Sequence, residues 1–465
     1  MTKENGSGRL RNLPAVHVLI ESLVKAVPDA PPALARKACR EVVDEIRQEV
    51  LEGAPMPSLE ATSGRAAARL AELSSSSMVD VINATGVVLH TAIGRACLPP
   101  SAIREVTRVA TGYSVLQWDR ETGRRGHRDV HVEGLLTELT GAEAATVVNN
   151  NAGATLLVLS ALAAGREVIV SRGQLVEIGG AFRIPDVMKQ SGAIMVEVGC
   201  TNRTHLRDYR NALTGDTAVI LRVHPSNYRI RGFSSEVPIG ELVELGREAG
   251  VPVVDDLGAG SLVRLEDLGL APEPTICESI EAGVSVTTSS GDKLIGGPQV
   301  GIITGAAEYV ERIRKHPLAR ALRVGKLTIA ALEATLRLFL EDQDYLNRHH
   351  PVYQKLSADR ADLEKRAAEF VDGLELPPGC TARAMEMSSF VGSGALPDHA
   401  IPSFGIGLSC ADPELLAREL RLGSPAVASR VEDELVKLDL RTVAPEETDT
   451  LRRLVSEAAG RLWAS

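Results

Sequence analysis

Lys293 stands in the segment SSGDKLIGGPQ, after a strand-like run and before a Gly-Gly-Pro turn. Such a turn can hold an amine at a fixed place near backbone amides. Burial there disfavours the charged ammonium, and a neutral amine can form a Schiff base with a carbonyl compound. A solvated surface lysine beside a turn would show the same pattern. Ser290 and Lys293 also form S-x-x-K, which opens the motif set of penicillin-binding enzymes, but the S-D-N and K-T-G partners of that set are absent.

Two adjacent acids, Asp255 and Asp256, end the apolar run Val253-Val254. Side chains alternate between the two faces of a strand, so we expect these acids to point to different sides. A carboxylate at the end of a buried strand suits pyridoxal phosphate, which acts as an electron sink only while its ring nitrogen stays protonated. A helix cap or a surface turn is the alternative for either acid taken alone.

Small polar residues follow the strand-like run Thr146–Val148, and a helical stretch comes after them. Free backbone amides and the helix dipole at such a helix start form a site for phosphate. The residues that we expect to form this anion pocket are Asn151, Ala152 and Gly153. Plain capping of the helix by Asn151 is the alternative. The G-x-x-x-x-G-K-[ST] and G-x-G-x-x-G motifs are absent, which disfavours nucleoside triphosphates and dinucleotides as ligands.

Arginines form a fourth group of candidate residues. Arg95 follows HTAIG, and two others lie in HPLARALRVGK. At positions i and i+3 of a helix, Arg320 and Arg323 would share a face and could grip one anion. The segment ETGRRGHR adds Arg124, Arg125 and Arg128. A solvated basic face is the alternative, but the density of arginines around glycine-rich turns favours an anion site.

Short apolar runs alternate with helical stretches from about residue 80 to 305. The candidate strands are Thr146–Val148, Val168–Val170, Ile194–Val198, Val219–Val223, Val251–Val254 and Gly301–Ile303. Helical stretches such as Ala154–Ala163 and Ile239–Ala249 lie between them. This alternation predicts an α/β fold, with a mostly parallel sheet covered on both faces and ligands at the carboxyl ends of its strands. The motifs above follow strand-like runs, where a site belongs.

Two further regions flank this one. Residues from about 13 to 55 carry apolar side chains at helical spacing, interrupted by three prolines, and lead to a serine-rich linker at 74–77. A helical pattern from about 324 to 342 predicts a bridging helix, and the rest mixes helices with strands such as Leu435–Leu440. We therefore predict a helical domain with its linker at 1–78, a core domain at 79–323, and a bridging helix with an α+β domain at 324–465.

The composition is that of an ordinary globular protein. A length of 465 residues suits two or three domains, and 44% of the residues are hydrophobic and 24% charged. The net charge of −10 leaves any polyanion contact to local arginine clusters. We expect neither a transmembrane helix nor a signal peptide. Six scattered cysteines without a CxxC pair favour a reducing cytoplasm, and the histidines show no metal-ligand spacing.

Long segments of the chain resemble the bacterial selenocysteine synthases, the L-seryl-tRNA(Sec) selenium transferases. They are INATGVVLHTAIGRA, ETGRRGHRDVHVEGLLTELTGAEAATVVNNNAGA, VIVSRGQLVEIGGAFRIPDVM, TNRTHLRDY, HPSNYRIRGF, DDLGAGSL, SGDKLIGGPQVGI and PLARALRVGKLTIAALEATL. The similarity extends to an N-terminal NLPAVHVLIES and a C-terminal SRVEDELVKLDLRTVAPEE. It implies a pyridoxal-phosphate enzyme of the aspartate-aminotransferase fold, fold type I, with an added N-terminal helical domain and a C-terminal α+β domain.

Position by position, the resemblance assigns the cofactor contacts. Lys293 matches the lysine that forms the internal aldimine with pyridoxal phosphate, and Asp256 matches the partner of the ring nitrogen. Phosphate contacts are expected from Ser290 and from the turn that consists of Asn151, Ala152 and Gly153.

The resemblance also implies the substrates. Arg95, Arg320 and Arg323 fall where the family binds the phosphate-like end of selenophosphate, and the N-terminal helical domain would recognise the tRNA. The implied reaction converts L-seryl-tRNA(Sec) to L-selenocysteinyl-tRNA(Sec) through a dehydroalanyl ester on the tRNA. The implied assembly is a homo-oligomer, a ring built from dimers.

The chain departs from the family pattern at four positions. Ala92 replaces Asn in HTNLGR, Cys200 replaces Thr in GTTNRT, Pro225 replaces Thr in HTSNYRI, and Gly325 replaces the Asp that follows RALRV. The change at position 92 removes a hydrogen-bonding side chain close to the expected anion site. These changes bear on the acceptor substrate and leave the cofactor assignment intact.

Two alternatives stay open. A related pyridoxal-phosphate lyase would act on a small amino acid or amino sugar acid, but lyases that resemble the synthase typically lack the N-terminal helical unit, which this chain has. A catalytically idle tRNA-binding homologue would not need both Lys293 and Asp256. Removal of residues 1–60 separates the first alternative from the synthase, because only a small-molecule lyase should keep its activity.

Overall fold

The computed structural model describes residue 10 and residues 13–180, 182–230 and 232–464. The chain divides into two compact units, residues 1–80 and 81–465. The domain boundaries expected at residues 78 and 323 stay predictions. Among the described residues, no helix is both long and apolar enough to cross a bilayer.

The first unit is a three-helix cluster. Its helices are α1 (Val16–Ala26), α2 (Pro32–Leu51) and α3 (Leu59–Ser74). The two helical runs expected between residues 13 and 55 are confirmed as α1 and α2. The apolar side chains of all three helices share one core, which includes Leu19, Val43 and Leu70. Ser58 caps α3, because its hydroxyl accepts a hydrogen bond from Ala61 N at 3.1 Å.

The second unit is built on a seven-stranded sheet in the order β2-β10-β9-β8-β7-β3-β6. Its strands are β2 (Ala144–Val148), β3 (Glu167–Ser171), β6 (Ile194–Val198), β7 (Thr217–Val223), β8 (Val253–Gly258), β9 (Val286–Ser290) and β10 (Gly301–Gly305). Only β10 runs antiparallel to its neighbours. The mostly parallel sheet is confirmed, and the carboxyl ends of its parallel strands lie at one edge.

The remaining strands belong to smaller sheets. They are β1 (Val81–Asn83), β4 (Glu177–Ile178), β5 (Phe182–Arg183), β11 (Thr381–Ser389), β12 (Ile401–Ser409), β13 (Ala426–Ala428), β14 (Arg430–Glu432) and β15 (Leu435–Asp439). A four-stranded antiparallel sheet, β11-β12-β15-β14, forms the C-terminal layer. The first strand of the unit, β1, pairs in parallel with β13, so the chain enters the unit beside its C-terminal segment.

Fifteen α-helices of the described second unit surround these sheets. They are α4 (Pro100–Ala110), α5 (Glu133–Thr140), α6 (Asn151–Ala163), α7 (Ile184–Gln190), α8 (Leu206–Ala212), α9 (Ile239–Ala249), α10 (Ile276–Glu281), α11 (Ala307–Lys315), α12 (Pro317–Ala321), α13 (Lys326–Leu336), α14 (Gln343–His349), α15 (Pro351–Leu356), α16 (Arg360–Asp372), α17 (Pro413–Arg421) and α18 (Thr448–Ala464). The expected helices at 154–163 and 239–249 are confirmed as α6 and α9.

Two expected elements have different bounds. Strand β8 begins two residues after the expected Val251 and continues through both acids, because neighbouring strands and helices satisfy their carboxylates. The prediction of a single bridging helix over residues 324–342 is wrong. Helix α13 ends at Leu336, and the chain tightens into a 3₁₀ turn over Arg337–Leu340. This turn lets Phe339 pack edge-on against Tyr353, with ring centroids 5.6 Å apart.

Phe370 belongs to the hydrophobic core of the C-terminal layer, and its replacement tests how much that core contributes to stability. It is fully buried on α16, and Arg452 covers its ring at 5.3 Å. We expect Phe370→Ala to lower the free energy of unfolding by about 3–5 kcal/mol, because it removes apolar contacts and leaves a cavity. Phe233→Ala is the control, since that ring is 84% exposed, and it should change stability by less than about 1 kcal/mol. Urea unfolding followed by circular dichroism measures both, and equal midpoints would contradict the prediction.

Candidate active site

Asp256 lies at the carboxyl end of β8 and is 3% exposed. Its Oδ1 accepts hydrogen bonds from Asn151 Nδ2 at 2.8 Å and from Gly258 N at 3.2 Å, and its Oδ2 accepts one from Thr155 Oγ1 at 3.1 Å. Burial raises the pKa of this carboxyl above its ordinary value, and the hydrogen bonds act in the opposite direction. Within the described residues, no ion pair is formed by this carboxylate.

Asp255 has the opposite environment, although it is the preceding residue of the same strand. Its carboxylate is fully buried and accepts two hydrogen bonds from Arg222 Nη1, each at 3.0 Å, and one from Ser279 Oγ at 2.7 Å. The expectation that the two acids point to different sides is confirmed. Asp255 therefore has a cationic partner from the protein, whereas Asp256 is left for a cation from elsewhere.

The asparagine turn leads from β2 into α6 beside Asp256. Asn150 is the cap of the helix, because its side chain accepts the hydrogen bond of Gly153 N at 2.8 Å. Capping by Asn151 is therefore wrong, since the Asn151 amide donates to Asp256. A Cβ at Gly153 would lie 2.8 Å from Asn149 Oδ1, so the exposed Asn149 side chain would have to move to accept a larger residue there. Ala152 and Gly153 line a surface cavity of about 330 Å³ at the start of α6.

Lys293 lies in the turn that follows β9 and is 6% exposed. Burial lowers the pKa of its amine, and the nearby positive charge of Arg95 acts in the same direction. Strands β8 and β9 are parallel neighbours, so the two strand ends bring Lys293 and Asp256 to the same edge of the sheet. Ser290 is the last residue of β9 and is buried there.

Arg95 is anchored next to the lysine. Its Nη1 donates to Asp292 Oδ2 at 2.6 Å, which places the guanidinium beside the residue that precedes Lys293. The backbone of Arg95 has φ 62°, in the left-handed region that residues other than glycine rarely adopt. A hydrogen bond from Arg95 N to the carbonyl of His90, at 3.0 Å, holds this turn. Strained backbone of this kind is often found at functional sites.

Arg320 and Arg323 lie in a separate arginine cluster. Burial lowers the pKa of Arg128, and the positive charges of Arg323, Arg125 and Arg320 add to this effect, which places the four side chains near one another. The prediction that Arg320 and Arg323 share one helix face is wrong, because α12 ends at Ala321 and Arg323 lies after its end. The chain turns there so that the carbonyl of Leu322 can accept a hydrogen bond from Asn149 N at 2.8 Å. This contact ties the segment to the asparagine turn.

Gly325, where the family pattern has Asp, lies at the start of a helix. Gly325 is the N-cap residue of α13, and a Cβ there would meet no atom within 4 Å. An aspartate at this position would be a favourable cap, and glycine serves there at a cost of only a few tenths of a kcal/mol. The departure is thus compatible with the same backbone. Ala92 lies in the 3₁₀ turn just before Arg95, where its side chain can accept no hydrogen bond.

The sequence did not point to three residues of the site. Thr155 stands one helical turn after Asn151 and donates to the same carboxylate, a pairing that the i and i+4 spacing on an otherwise apolar helix could have indicated. Asp292 anchors Arg95 but carries no signal beyond its place beside Lys293. Glu273 is buried, and its Oε1 lies 3.2 Å from His224 Nε2. Its negative charge raises the pKa of Lys293 and so opposes the effect of burial. No sequence pattern connects these two distant segments.

These residues fit pyridoxal phosphate. A buried amine with a lowered pKa suits covalent attachment to the cofactor's carbonyl, and Asp256 without a protein cation suits the protonated ring nitrogen. Asn151 Oδ1 is buried and has no partner within the described structure, so the turn keeps an acceptor for a donor from a ligand. The free amides at the start of α6 suit a phosphate.

The fold has known relatives among solved structures. D-glucosaminate-6-phosphate ammonia-lyase superposes with a TM-score of 0.58 at 20% sequence identity, over 82% of this chain and 96% of that one. The expected fold type I is confirmed. Together, this fold and the buried lysine and aspartate define a pyridoxal-phosphate-dependent enzyme.

The chain belongs to the L-seryl-tRNA selenium transferase family, whose model matches residues 81–444. The L-seryl-tRNA(Sec) selenium transferase of Moorella thermoacetica is 48% identical over 97% of both chains. Those of Carboxydothermus hydrogenoformans and Geobacter sulfurreducens are 47% and 44% identical, over 90% and 96% of this chain and 90% and 99% of theirs. The resemblance of the sequence segments to this family is confirmed.

The buried amine of Lys293 predicts a pH-dependent stability in the cofactor-free chain. Because its folded-state pKa is lowered, the unfolded chain binds more protons between that pKa and the ordinary value of 10.5. This group therefore makes the free energy of unfolding rise with pH across that window, by about 1.4 kcal/mol per pH unit. Lys293→Met lacks this term, so its stability advantage over the native chain should be largest at low pH and shrink as pH rises.

Urea unfolding of both proteins at a series of pH values measures the difference. Lys365→Met is the control, because the Lys365 side chain is 76% exposed and should give no trend. A pH-independent difference between Lys293→Met and the native chain would show that Lys293 is charged in the folded protein.

Proposed function

We propose that this protein converts L-seryl-tRNA(Sec) to L-selenocysteinyl-tRNA(Sec), with selenophosphate as the selenium donor. The observation that carries the proposal is the 48% identity, over 97% of both chains, to an L-seryl-tRNA(Sec) selenium transferase. The site supports it, because a buried lysine, a buried carboxylate and two groups of arginines meet the needs of a β-replacement on a seryl ester. The L-seryl-tRNA(Sec) selenium transferases among its relatives support the tRNA substrate, and the arginines support a phosphate-bearing donor.

Four groups of atoms would hold the cofactor. Lys293 would bind it covalently, Asp256 would keep its ring nitrogen protonated, and Ser290 with the turn formed by Asn151, Ala152 and Gly153 would hold its phosphate. When bound, pyridoxal phosphate supplies an electron sink for negative charge at the Cα atom of the seryl group. The two hydrogen bonds from α6 fix the Asp256 carboxylate in one orientation, so that its charge does not have to reorganise during the reaction.

Lys293 would also move protons. Its amine is neutral over a wider pH range than that of an ordinary lysine, and a neutral amine can accept the proton from the Cα atom of the seryl group. The same ammonium can return that proton after selenium has replaced the β-hydroxyl group. The nearby charges of Asp256 and Asp292 favour the ammonium form and so oppose the lowering of the pKa of Lys293. The group can therefore take up a proton as well as release it.

The arginines would hold the selenium donor. Arg95 contacts Asp292 through Nη1, and within the described residues its Nη2 and Nε make no hydrogen bond, so the fork can still receive an anion. Arg320 and Arg323 lie two residues before and one residue after Leu322. The Leu322 carbonyl accepts a hydrogen bond from the asparagine turn. The crowding of positive charge around Arg128 makes this region attractive to a phosphate-like group.

The assembly and the compartment are also proposals. We propose a homo-oligomer that forms a ring of dimers, as the family resemblance implies, with the tRNA recognised by the helical unit at residues 1–80. We propose a cytoplasmic location, since all six cysteines are free thiols in the structure.

Purified protein with pyridoxal phosphate, seryl-tRNA(Sec) and selenophosphate should yield selenocysteinyl-tRNA(Sec). Lys293→Ala should abolish this product and the visible absorbance of the lysine-bound cofactor, because the amine that binds the cofactor is lost. The exposed Lys365→Ala should retain both. Product separation after ester hydrolysis and an absorbance spectrum measure the two effects. An unchanged spectrum for Lys293→Ala would sink the assignment of this lysine.

Removal of residues 1–80 separates tRNA recognition from chemistry. Each unit has a core of its own, so residues 81–465 should fold and keep the cofactor absorbance. We expect tRNA affinity to fall at least about 100-fold, as when several phosphate contacts are lost together. Filter binding of labelled tRNA and the spectrum give the two readouts. A shortened chain that still acted at full rate would favour a lyase that uses a small free substrate.

A further inference from the structure

A groove of about 480 Å³ lies within the second unit, where the segment after Arg95 meets α14, α15 and the residues before α18. Arg95 and Leu98 line this groove, and both also line a second cavity of about 400 Å³ that reaches Asp292 and Gln299. The groove therefore begins where the neighbourhood of Lys293 ends. Its volume is in the range of small-ligand sites, and no role in the mechanism above uses it.

Two stacked aromatic rings form part of the groove wall. Tyr345 and His349 stand one turn apart on α14, with ring centroids 3.9 Å apart and ring planes inclined by 23°. Both side chains are exposed. A hydrogen bond between His349 Nδ1 and the carbonyl of Tyr345, at 2.9 Å, holds the imidazole in place. Exposed, preoriented rings of this kind are the platforms on which single-stranded nucleic acids stack their bases.

The charge of the groove differs from that of the chain. Arg104, Arg348 and Lys355 line it in addition to Arg95, and none of the three forms an ion pair with a described carboxylate. The acids at its rim are Glu446 and Glu447, and Glu447 is engaged in accepting a hydrogen bond from Ala444 N at 2.8 Å. Positive charge thus predominates here, in a protein whose net charge is −10.

We propose that this groove binds the single-stranded 3′-terminal nucleotides of the aminoacyl-tRNA, with one base stacked on the Tyr345–His349 pair and the phosphates near Arg104, Arg348 and Lys355. The proposal rests on the proposed function. The seryl ester is carried by the last ribose, so when the ester lies beside Lys293 the preceding nucleotides must leave the site through an opening. The groove that starts at Arg95 is such an opening, and its rings and cations match bases and phosphates.

Base stacking is tested with three tRNAs(Sec), each carrying 2-aminopurine at one of its three 3′-terminal positions. Stacking on tyrosine quenches this base. At least one probe should be quenched on the native full-length protein and on Tyr345→Phe, and should fluoresce at least twofold more strongly on Tyr345→Ala. Equal fluorescence of every probe on all three proteins would overturn the proposal.

Steady-state kinetics with seryl-tRNA(Sec) provides a second readout. The loss of one base stack should raise the KM of Tyr345→Ala by about tenfold, with a smaller change in kcat, and Tyr345→Phe should restore the native value. Arg348→Ala should also raise KM. Arg453→Ala is its matched control, because that arginine lies on α18 outside the groove and pairs with Glu457. A KM within twofold of native for both groove variants would overturn the proposal.

A third measurement needs no substitution. Cys97 is an exposed thiol in the groove, whereas Cys200 is exposed elsewhere. Intact tRNA(Sec) should slow maleimide labelling of Cys97 more than tRNA lacking its three terminal nucleotides does, and the two tRNAs should affect Cys200 equally. Equal protection of Cys97 by both tRNAs counts against the proposal even where Tyr345→Ala fails to fold.

The outcomes also separate this inference from the function on which it rests. If the native protein makes no selenocysteinyl-tRNA and quenches no probe, the proposed function fails. If it makes the product, but the groove variants behave as native, only the groove assignment fails. A change in oligomer size for Tyr345→Ala, with native KM and fluorescence, would assign the groove to an interface between copies of the chain and overturn the proposal.

Discussion

The carboxylate of Asp256 is held in the dry end of a parallel sheet by hydrogen bonds alone. An isolated charge in such a place is costly, and burial raises the pKa of this group accordingly. The preceding residue shows how the protein could have removed the cost, because Asp255 has the guanidinium of Arg222 beside it. Among the described residues, Asp256 forms no such ion pair, so a cationic ring nitrogen would complete this position, and each of the two charges would then stabilise the other.

Much of the local architecture serves that carboxylate. Two of its donors, Asn151 and Thr155, stand one turn apart on α6, so the helix must begin at a defined residue and in a defined rotation. The cap by Asn150 sets that start. The amides of Asn151 and Ala152, in the first turn of the helix, would then be available to a phosphate. One helix terminus would thus position both ends of the cofactor, with Asn150 as its cap and Asn151 as a donor to Asp256.

The sequence predicted the sheet well because buried parallel strands are apolar runs, and such runs are visible without any partner. It was less informative where polar residues are buried. Strand β8 continues through two acids, whose partners come from distant segments, and β9 is built largely from Thr and Ser. The same limit applies to the site. Lys293 and Asp256 stand in recognisable motifs, whereas the ion pair between Arg95 and Asp292 joins residues almost two hundred positions apart. The helix face proposed for Arg320 and Arg323 was wrong because α12 ends at Ala321, and the next residue, Leu322, pairs with the distant Asn149 through its backbone.

The distribution of charge explains how an acidic protein can handle anionic ligands. A net charge of −10 repels polyanions at long range, but that repulsion is screened within about 10 Å at moderate ionic strength. Contacts inside that distance depend on local charge, and positive groups gather around Arg128, while Arg95 lies near Lys293. Asp292 reduces the positive charge beside Lys293, because it forms an ion pair with Arg95. It also favours the protonated form of Lys293. An uncompensated arginine there would push the pKa of Lys293 still lower and make its amine a weaker base. The pair would therefore let the proposed anion-binding Arg95 and the proposed proton-transferring Lys293 lie close together while the amine keeps part of its basicity.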